Sequence, residues 1–591
     1  MHRQLPLRRF AAATTVAALS LLTVVAPQAE AAGSKPAHPS SRVDQLLAGL
    51  SLPQKVGQLF VTYAYGDTAT TTDPAFTAQN QQLYGVANGA ELIAKYQLGG
   101  VIYFSWAGNL ANPTQIATLS NGLQSASGIP LLISTDQEGG SVTRIGAPLA
   151  VSPGNMALGA TNSAAQAYSM SKVTGQQLAA LGINVDDAPV VDTNTNPANA
   201  ADGPRSFGDR AGPVALLSAA SVRGYQQAGV AATAKHFPGL GSTSVNTDNG
   251  IAVTDESRAE FDRNDLPAFR AAIAAGTDEI MAAHIVAPAL DPSGAPASLS
   301  GPIVTGILRD QLHYNGVVIT DALSAAALDG IDPAQRAVRA VQAGVDELLM
   351  PTDLAAAEAA VLAAVQSGAI PVARLDQSVR RILTLKSKLG LFSNAQVDAG
   401  QAASRVGTPS QLAVAAKAGT DSITLLRNSA NTLPLQAQTQ QKLLVTGWGA
   451  GTTQTLAGAI AEHGLITQRV YTGSAPSSAA IAAAVSAAKA SDRVLVTTNN
   501  AWSDPGQLAL VNALVATGRP VIVAALGAPY ELGYLPSVAT FVAGYGYQPA
   551  TLSALVAMLF GAQPSGHLPV TIHSATDPSV VVARYGSGLH Y

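Results

Sequence analysis

Lys235 and His236 stand together at the end of an apolar run, residues 230–234, and a Gly/Pro-rich loop carries the chain on to a lone carboxylate, Asp248. A cationic pair on a strand end, followed by a loop bearing a carboxylate, is how a polar site is mounted on a rigid scaffold. Asp321 closes another buried run, 316–320, and a carboxylate emerging from a strand can attack an electrophilic carbon. Asp248 can serve as a proton donor if burial or a neighbouring anion raises its pKa. Asp136 can accept hydroxyl hydrogens while Arg144, Arg205 and Lys235 donate, and such pairs hold a polyol by charge-assisted bonds. The same Arg residues could instead form salt bridges that only tie loops together.

These residues recur directly after short apolar runs. Eight such runs, 56–63, 100–104, 131–135, 183–191, 230–234, 279–283, 316–320 and 347–350, alternate with Ala/Leu-rich stretches of helical period. The pattern predicts a parallel sheet closed into a (β/α)8 barrel over residues 42–392. Asp136 follows the third run, Asp192 the fourth, Lys235 and His236 the fifth, His284 the sixth and Asp321 the seventh, so all would meet at the C-terminal mouth. Any one Asp could equally be a helix N-cap, but five strand ends together point to a site.

A polar linker, 393–411, leads to a second α/β pattern over 412–591. Its runs, 422–426, 443–446, 494–497, 520–526 and 540–543, predict a smaller sheet with helices on both faces, an α/β sandwich. The Gly-Trp-Gly-Ala-Gly stretch at 447–451 lacks the Lys-Ser/Thr of a phosphate cradle, so no nucleotide is expected.

A chain of 591 residues, 47% apolar and 12% charged, is long enough for two buried cores. Arg3, Arg8 and Arg9 precede an apolar stretch, 10–25, and Ala29-Glu30-Ala31 offers a small-x-small cleavage site, so 1–31 reads as a secretory signal peptide. Its removal takes three Arg and one Glu, moving the net charge from −4 to −6, which disfavours nucleic acid. With no Cys there is no disulfide, no thiolate chemistry and no lipid-modified Cys, so the mature protein is expected to be released without a membrane anchor. The nine His residues are scattered, and neither a metal site nor a cofactor is expected.

The run Lys-His-Phe-Pro-Gly-Leu-Gly at 235–241 resembles the signature loop of family-3 glycoside hydrolases of the β-N-acetylglucosaminidase type. So do Asp-Gln-Glu-Gly-Gly-Ser-Val-Thr-Arg at 136–144, Gly-Pro-Arg-Ser-Phe-Gly at 203–208 and Gly-Val-Val-Ile-Thr-Asp at 316–321, in family order. The resemblance implies an exo-acting, retaining β-glycosidase with Asp321 as nucleophile. It also implies Asp136, Arg144, Arg205, Lys235, His236 and His284 as sugar binders, and an amino-sugar glycoside or cell-wall fragment as the substrate class. The family places Asp-x-His after its signature loop, the His moving the proton. Here the matching residues are Asn246, Thr247 and Asp248. Three readings stand: Asp248 is the acid/base, another group takes the role, or hydrolysis is lost and sugar binding kept. A β-glucosidase is the nearest enzymatic alternative, and an inactive carbohydrate-binding protein the alternative of another class.

Overall fold

The computed structural model describes residues 41–436 and 440–591, and the segment expected to be cleaved, 1–31, lies outside the described residues. Eight strands, β1 (Phe60–Thr62), β2 (Gly100–Ile102), β3 (Leu132–Thr135), β4 (Val185–Asp186), β5 (Ala231–Phe237), β6 (Glu279–Ala282), β7 (Val317–Thr320) and β8 (Leu348–Leu349), pair in parallel in the order β7-β6-β5-β4-β3-β2-β1-β8. The seam between β7 and β8 is closed by a parallel Ile319–Glu347 bridge, and the Thr320 amide donates to the Glu347 carbonyl at 3.0 Å. Helices follow every strand, from Pro74–Tyr84 after β1 to Val372–Lys388 after β8. Every residue of the eight strands is buried, which is why they read as continuous apolar runs and not as alternating ones.

Two runs divide differently from the expectation. The first begins in a helix, Leu52–Gly57, which Ser51 and Gln54 start with a reciprocal capping box, and only Phe60–Thr62 is strand. A short apolar run does not by itself distinguish the two. The fourth pairs only at Val185–Asp186 and then continues as an extended segment that meets β5 through the Val190–Lys235 bridge.

The second sheet holds β9 (Thr424–Asn428), β10 (Lys442–Gly447), β11 (Ile466–Tyr471), β12 (Arg493–Thr498), β13 (Val521–Ala525) and β14 (Thr540–Ala543), ordered β11-β10-β12-β13-β14-β9. Only β9 runs antiparallel to its neighbour. Apolar clusters cover both faces, Val494 and Val523 on one, Leu443 and Ile522 on the other. The edge strand β11 was not foreseen, because none of its side chains is buried and Gln468 and Arg469 interrupt any apolar pattern. A two-stranded sheet of β15 (Ile572–His573) and β16 (Val581–Ala583) is too short to leave a sequence signal.

This second layer braces the loops that leave β3 and β4. The helix Asn155–Thr161 buries Met156, Ala157 and Ala160 in the same cluster as Val494 and Val523. Gln548 donates to the Gly140 carbonyl at 2.5 Å, Asn194 to the Tyr530 hydroxyl at 2.9 Å, and the Thr571 amide to Asp209 at 2.5 Å. Among the described residues no helix is long and apolar enough to cross a membrane.

Candidate active site

A cleft of about 570 Å³ opens at the C-terminal ends of the barrel strands, and Asp136, Arg144, Arg205, Lys235, His236, Asp248 and Asp321 all line it. Lys235 and His236 are neighbours on β5, so strict alternation would send them to opposite sides. The pairing shows how both reach the cleft: Ala234 faces Ile280 and Phe237 faces Ala282, so three residues of β5 advance against two of β6. One extra residue makes a bulge, which re-aims side chains beside a site.

The floor is an ionic cradle. Lys235 Nζ donates to Asp136 Oδ1 at 2.9 Å and lies 2.8 Å from Glu138 Oε1. Arg205 grips Glu138 bidentately, Nε to Oε2 and Nη2 to Oε1, both at 2.8 Å. Arg144 Nη2 donates to Asp136 Oδ2 at 3.0 Å. Burial alone would raise the Glu138 carboxyl, but Arg205 and Lys235 outweigh it and hold it far below the usual carboxylate range. Asp136 is held low in the same way, by Lys235 and then Arg144. Lys235 is pushed up, its burial outweighed by Asp136 and Glu138. Asp136, Glu138, Arg205 and Lys235 are therefore charged, and with Arg144 they form one paired network fixed before any ligand arrives.

His236 is oriented by Asp192, whose Oδ2 lies 2.7 Å from Nδ1 and also accepts the His236 amide at 3.0 Å. Burial opposes protonation of the ring, and Asp192 reverses the balance and raises its pKa. Nε2 faces Arg205 Nη2 at 3.3 Å. Asp192, Asp202 and His236 bring one ligand-type atom each within 4.8 Å of one another. The donor set fits a cation poorly: Asp192 already accepts from His236 and from the Leu240 amide at 2.8 Å, and the Arg205 guanidinium adjoins the ring. Burial and then Asp192 also push the Asp202 carboxyl upward, which makes it a poorer anionic ligand.

Asp321 projects from the end of β7. Its Oδ1 accepts the Ala322 amide at 2.7 Å and its own amide donates to the Ala282 carbonyl at 2.9 Å. Burial would raise this carboxyl, but His284, His236, the Ala322 amide and Lys235 together hold it below the ordinary value. Asp248 is shifted the other way. It stands exposed at the rim, yet partial burial and then the charge of Asp321 raise its carboxyl. Its turn is built by Asn246, whose Oδ1 accepts the Asp248 amide at 2.8 Å, and is tied to the segment after β7 by the Ala327 amide donating to the Thr247 carbonyl at 3.0 Å.

His284 departs from its expected role. It is fully buried and does not line the cleft. Its Nδ1 lies 2.7 Å from Ser298 Oγ and its Nε2 2.9 Å from the Ala322 carbonyl, so one nitrogen is taken by a serine hydroxyl and the other by the backbone beside Asp321. The alternative of helix capping fails for Asp136, Asp192 and Asp321, whose oxygens are taken up by the site instead.

Two residues that sequence reasoning left without a role support the site, Glu138 within the cradle and Asp192 behind His236. Glu138 was detectable as a charge imbalance, since Asp136 alone could not balance Arg144, Arg205 and Lys235 in one buried site. Asp192 was seen at a strand end, but its service to His236 needs the fold. The apolar wall of Phe104, Trp106, Met281 and Met350 left no local signal.

Comparison with known proteins agrees with this geometry. Residues 51–385 match the glycosyl hydrolase family 3 N-terminal domain and residues 423–589 the glycosyl hydrolase family 3 C-terminal domain. "Beta-hexosaminidase A" of Pseudoalteromonas piscicida is 37% identical over 381 residues, 59% of this chain and 63% of that protein. "Beta-N-acetylglucosaminidase/beta-glucosidase" of Cellulomonas fimi is 31% identical over 557 residues, 89% of this chain and 94% of that protein. The solved structure of a family 3 β-N-acetylglucosaminidase from a Paenibacillus species superposes with a TM-score of 0.80 at 36% identity, covering 89% of this chain and 100% of that one. With both domains matched in order around a closed barrel and its ionic cradle, the chain belongs to glycoside hydrolase family 3.

Proposed function

We propose that this chain is an exo-acting, retaining β-glycosidase, foremost a β-N-acetylhexosaminidase, with Asp321 as nucleophile and Asp248 as acid/base. The observation that carries the reading is that Asp321 and Asp248 line one cleft beside the ionic cradle, in environments that push the two carboxyls apart, Asp321 downward and Asp248 upward. Glycoside hydrolysis needs one ionised carboxylate and one protonated acid, and environments that push a pair apart assign the two roles. Asp321 attacks the anomeric carbon while Asp248 gives its proton to the departing oxygen, and Asp248 then takes a proton from the water that releases the sugar. Asp136, Glu138, Arg144, Arg205, Lys235 and His236 hold the hydroxyls of the terminal ring. His284 positions Asp321 through Ala322. The amino-sugar preference is taken from the names of the relatives, one of which also reads β-glucosidase. Export follows from the amino-terminal sequence.

The test is turnover of a panel of aryl β-glycosides, N-acetylglucosaminide, glucoside and xyloside, beside an Asp321→Asn control. Turnover abolished by the substitution is expected, fastest on the N-acetylglucosaminide. Binding of the sugars with no turnover of any panel member would sink the proposal in favour of a carbohydrate-binding protein.

A further inference from the structure

We propose that the indole of Trp106 is a stacking platform for a second sugar ring, the neighbour of the ring held by the ionic cradle. The inference rests on the reading of the cleft as a glycosidase site and names the substrate more closely: a β-linked disaccharide or longer chain. Trp106 lines the same cleft as Asp321 and Asp248, and 52% of it is exposed. A single exposed apolar side chain is ordinary on a protein surface, but an indole displayed beside a polar site is not explained by core packing.

Its presentation is fixed. Trp106 stands on the tight turn Ser105–Ala107 just past β2, and Gly108 leaves that turn at φ +82°, in the left-handed region. Buried Asn109 locks the turn, its Oδ1 accepting the Phe104 amide at 3.1 Å and its Nδ2 donating to the carbonyls of Ala64 and Gly66 at 2.9 Å each. Phe104 stacks on the indole at 4.8 Å between centroids and 18° between planes, and Tyr63 meets it edge-on at 4.7 Å. Tyr65 packs against the indole as well, at 5.7 Å, and just over half of Trp106 stays exposed. A ring held this way loses little freedom on binding, which is the economy expected of a recognition surface.

The complementary ligand follows from the chemistry. A pyranose with equatorial substituents offers a flat face of C–H groups, slightly positive, to the negative face of an aromatic ring. The charged groups of the cradle serve hydroxyls at the ring edge and cannot bind that face. Arg144, paired with Asp136, lies 5.5 Å over the Phe104 ring that stacks on the indole, so the indole adjoins the edge of the cradle, where the neighbour of a cradled ring would lie.

The experiment measures sugar binding by titration calorimetry in an Asp321→Asn background, with and without Trp106→Ala. The ligands are N-acetylglucosamine and its β-1,4-linked dimer, with glucose and cellobiose as a second pair. Removal of the indole is expected to weaken a dimer by roughly tenfold, about 1.4 kcal/mol, and its monosaccharide by less than about twofold. Trp106→Phe, which keeps an aromatic face, should fall between, and it carries the comparison if the Ala variant fails to fold. Equal weakening of monomer and dimer would place the indole against the first ring, and no weakening would leave it outside the site; either overturns the proposal, as does the absence of binding by both pairs. The two readings separate cleanly. Indole-dependent dimer binding without turnover by the parent protein overturns hydrolysis and keeps the platform, while turnover with indole-independent binding does the reverse.

Discussion

Replacing Asp248 with Ala removes the only ionisable side chain of the turn 246–249. The size of the loss depends on how much the departing oxygen needs a proton. A positioned general acid contributes about 10²–10⁴-fold where the leaving group is poor. With a methyl or sugar leaving group, kcat/KM should therefore fall by about 10²–10⁴. With dinitrophenolate, which leaves without a proton, the first step should change by less than about tenfold. Azide should then restore turnover on the activated substrate, because it fills the vacated space and attacks without giving up a proton. The pH profile gives the sign independently. Asp321 must be ionised and is held low, and Asp248 must be protonated and is raised, first by burial and then by Asp321. Activity should rise as pH passes the Asp321 pKa upward, and fall as it passes the higher Asp248 pKa. Asp248→Ala should delete the upper limb and keep the lower one. Persistence of the upper limb, or equal losses with good and poor leaving groups, would refute the assignment and move the proton to another group, His236 being one that lines the same cleft with a raised pKa.

Glu138→Ala would strip buried Arg205 of its bidentate carboxylate and leave Lys235 paired with Asp136 alone, and breaking a buried pair this way costs about 3–5 kcal/mol. A lowered thermal transition and a raised KM are expected. The Glu138 carboxyl titrates lower folded than unfolded, so its contribution is present above about pH 4.3 and drains away only as pH falls below that; the variant should show a flatter acid decline in stability. His284→Ala should lower kcat by about 10–100-fold through displacement of Asp321, with the sugar Kd in an Asp321→Asn background nearly unchanged. Parallel loss of binding would instead make His284 a sugar ligand. Gly241→Ala would set a Cβ 1.9 Å from the Thr193 carbonyl oxygen, backbone against backbone, in the loop between His236 and Asp248. A destabilisation of about 1–3 kcal/mol and reduced activity are expected, and a variant with parental melting temperature and kcat/KM would contradict that crowding.

The barrel was legible because its strands are buried throughout and five of the eight lead into a residue of distinctive chemistry. Lys235, His236 and Asp321 needed only their positions in the chain to be found. What the sequence concealed has one physical source, the dependence of a polar side chain on partners distant in sequence. His284 ends a strand as the others do, and only Ser298 and the Ala322 carbonyl turn it away from the cleft. Glu138 sits two residues from Asp136, but its partners lie 67 and 97 residues further along the chain, at Arg205 and Lys235. Edge strand β11 fails for the opposite reason: it is fixed by backbone pairing to β10, and its side chains bury too little to leave a pattern.

The altered Asn246-Thr247-Asp248 segment takes its meaning from where its bonds go. In the Asp-x-His arrangement that it resembles, the first side chain orients the second. Here the Asn246 side chain is spent on the Asp248 backbone amide, so it shapes the turn and leaves the carboxyl without a fixed partner. A carboxyl so placed answers chiefly to desolvation and to the nearest charge, and both raise it. An Asp also reaches less far than a His, so the turn itself must bring it to the glycosidic oxygen. The Ala327–Thr247 backbone bond ties that turn to the segment leaving β7, the strand that carries Asp321. The segments that carry Asp321 and Asp248 are thus joined by one backbone hydrogen bond. An Asp where the resembled loop has its His would turn a carboxylate–imidazole pair into two carboxylates, and partial burial together with the charge of Asp321 shifts the Asp248 carboxyl upward, the direction a general acid needs.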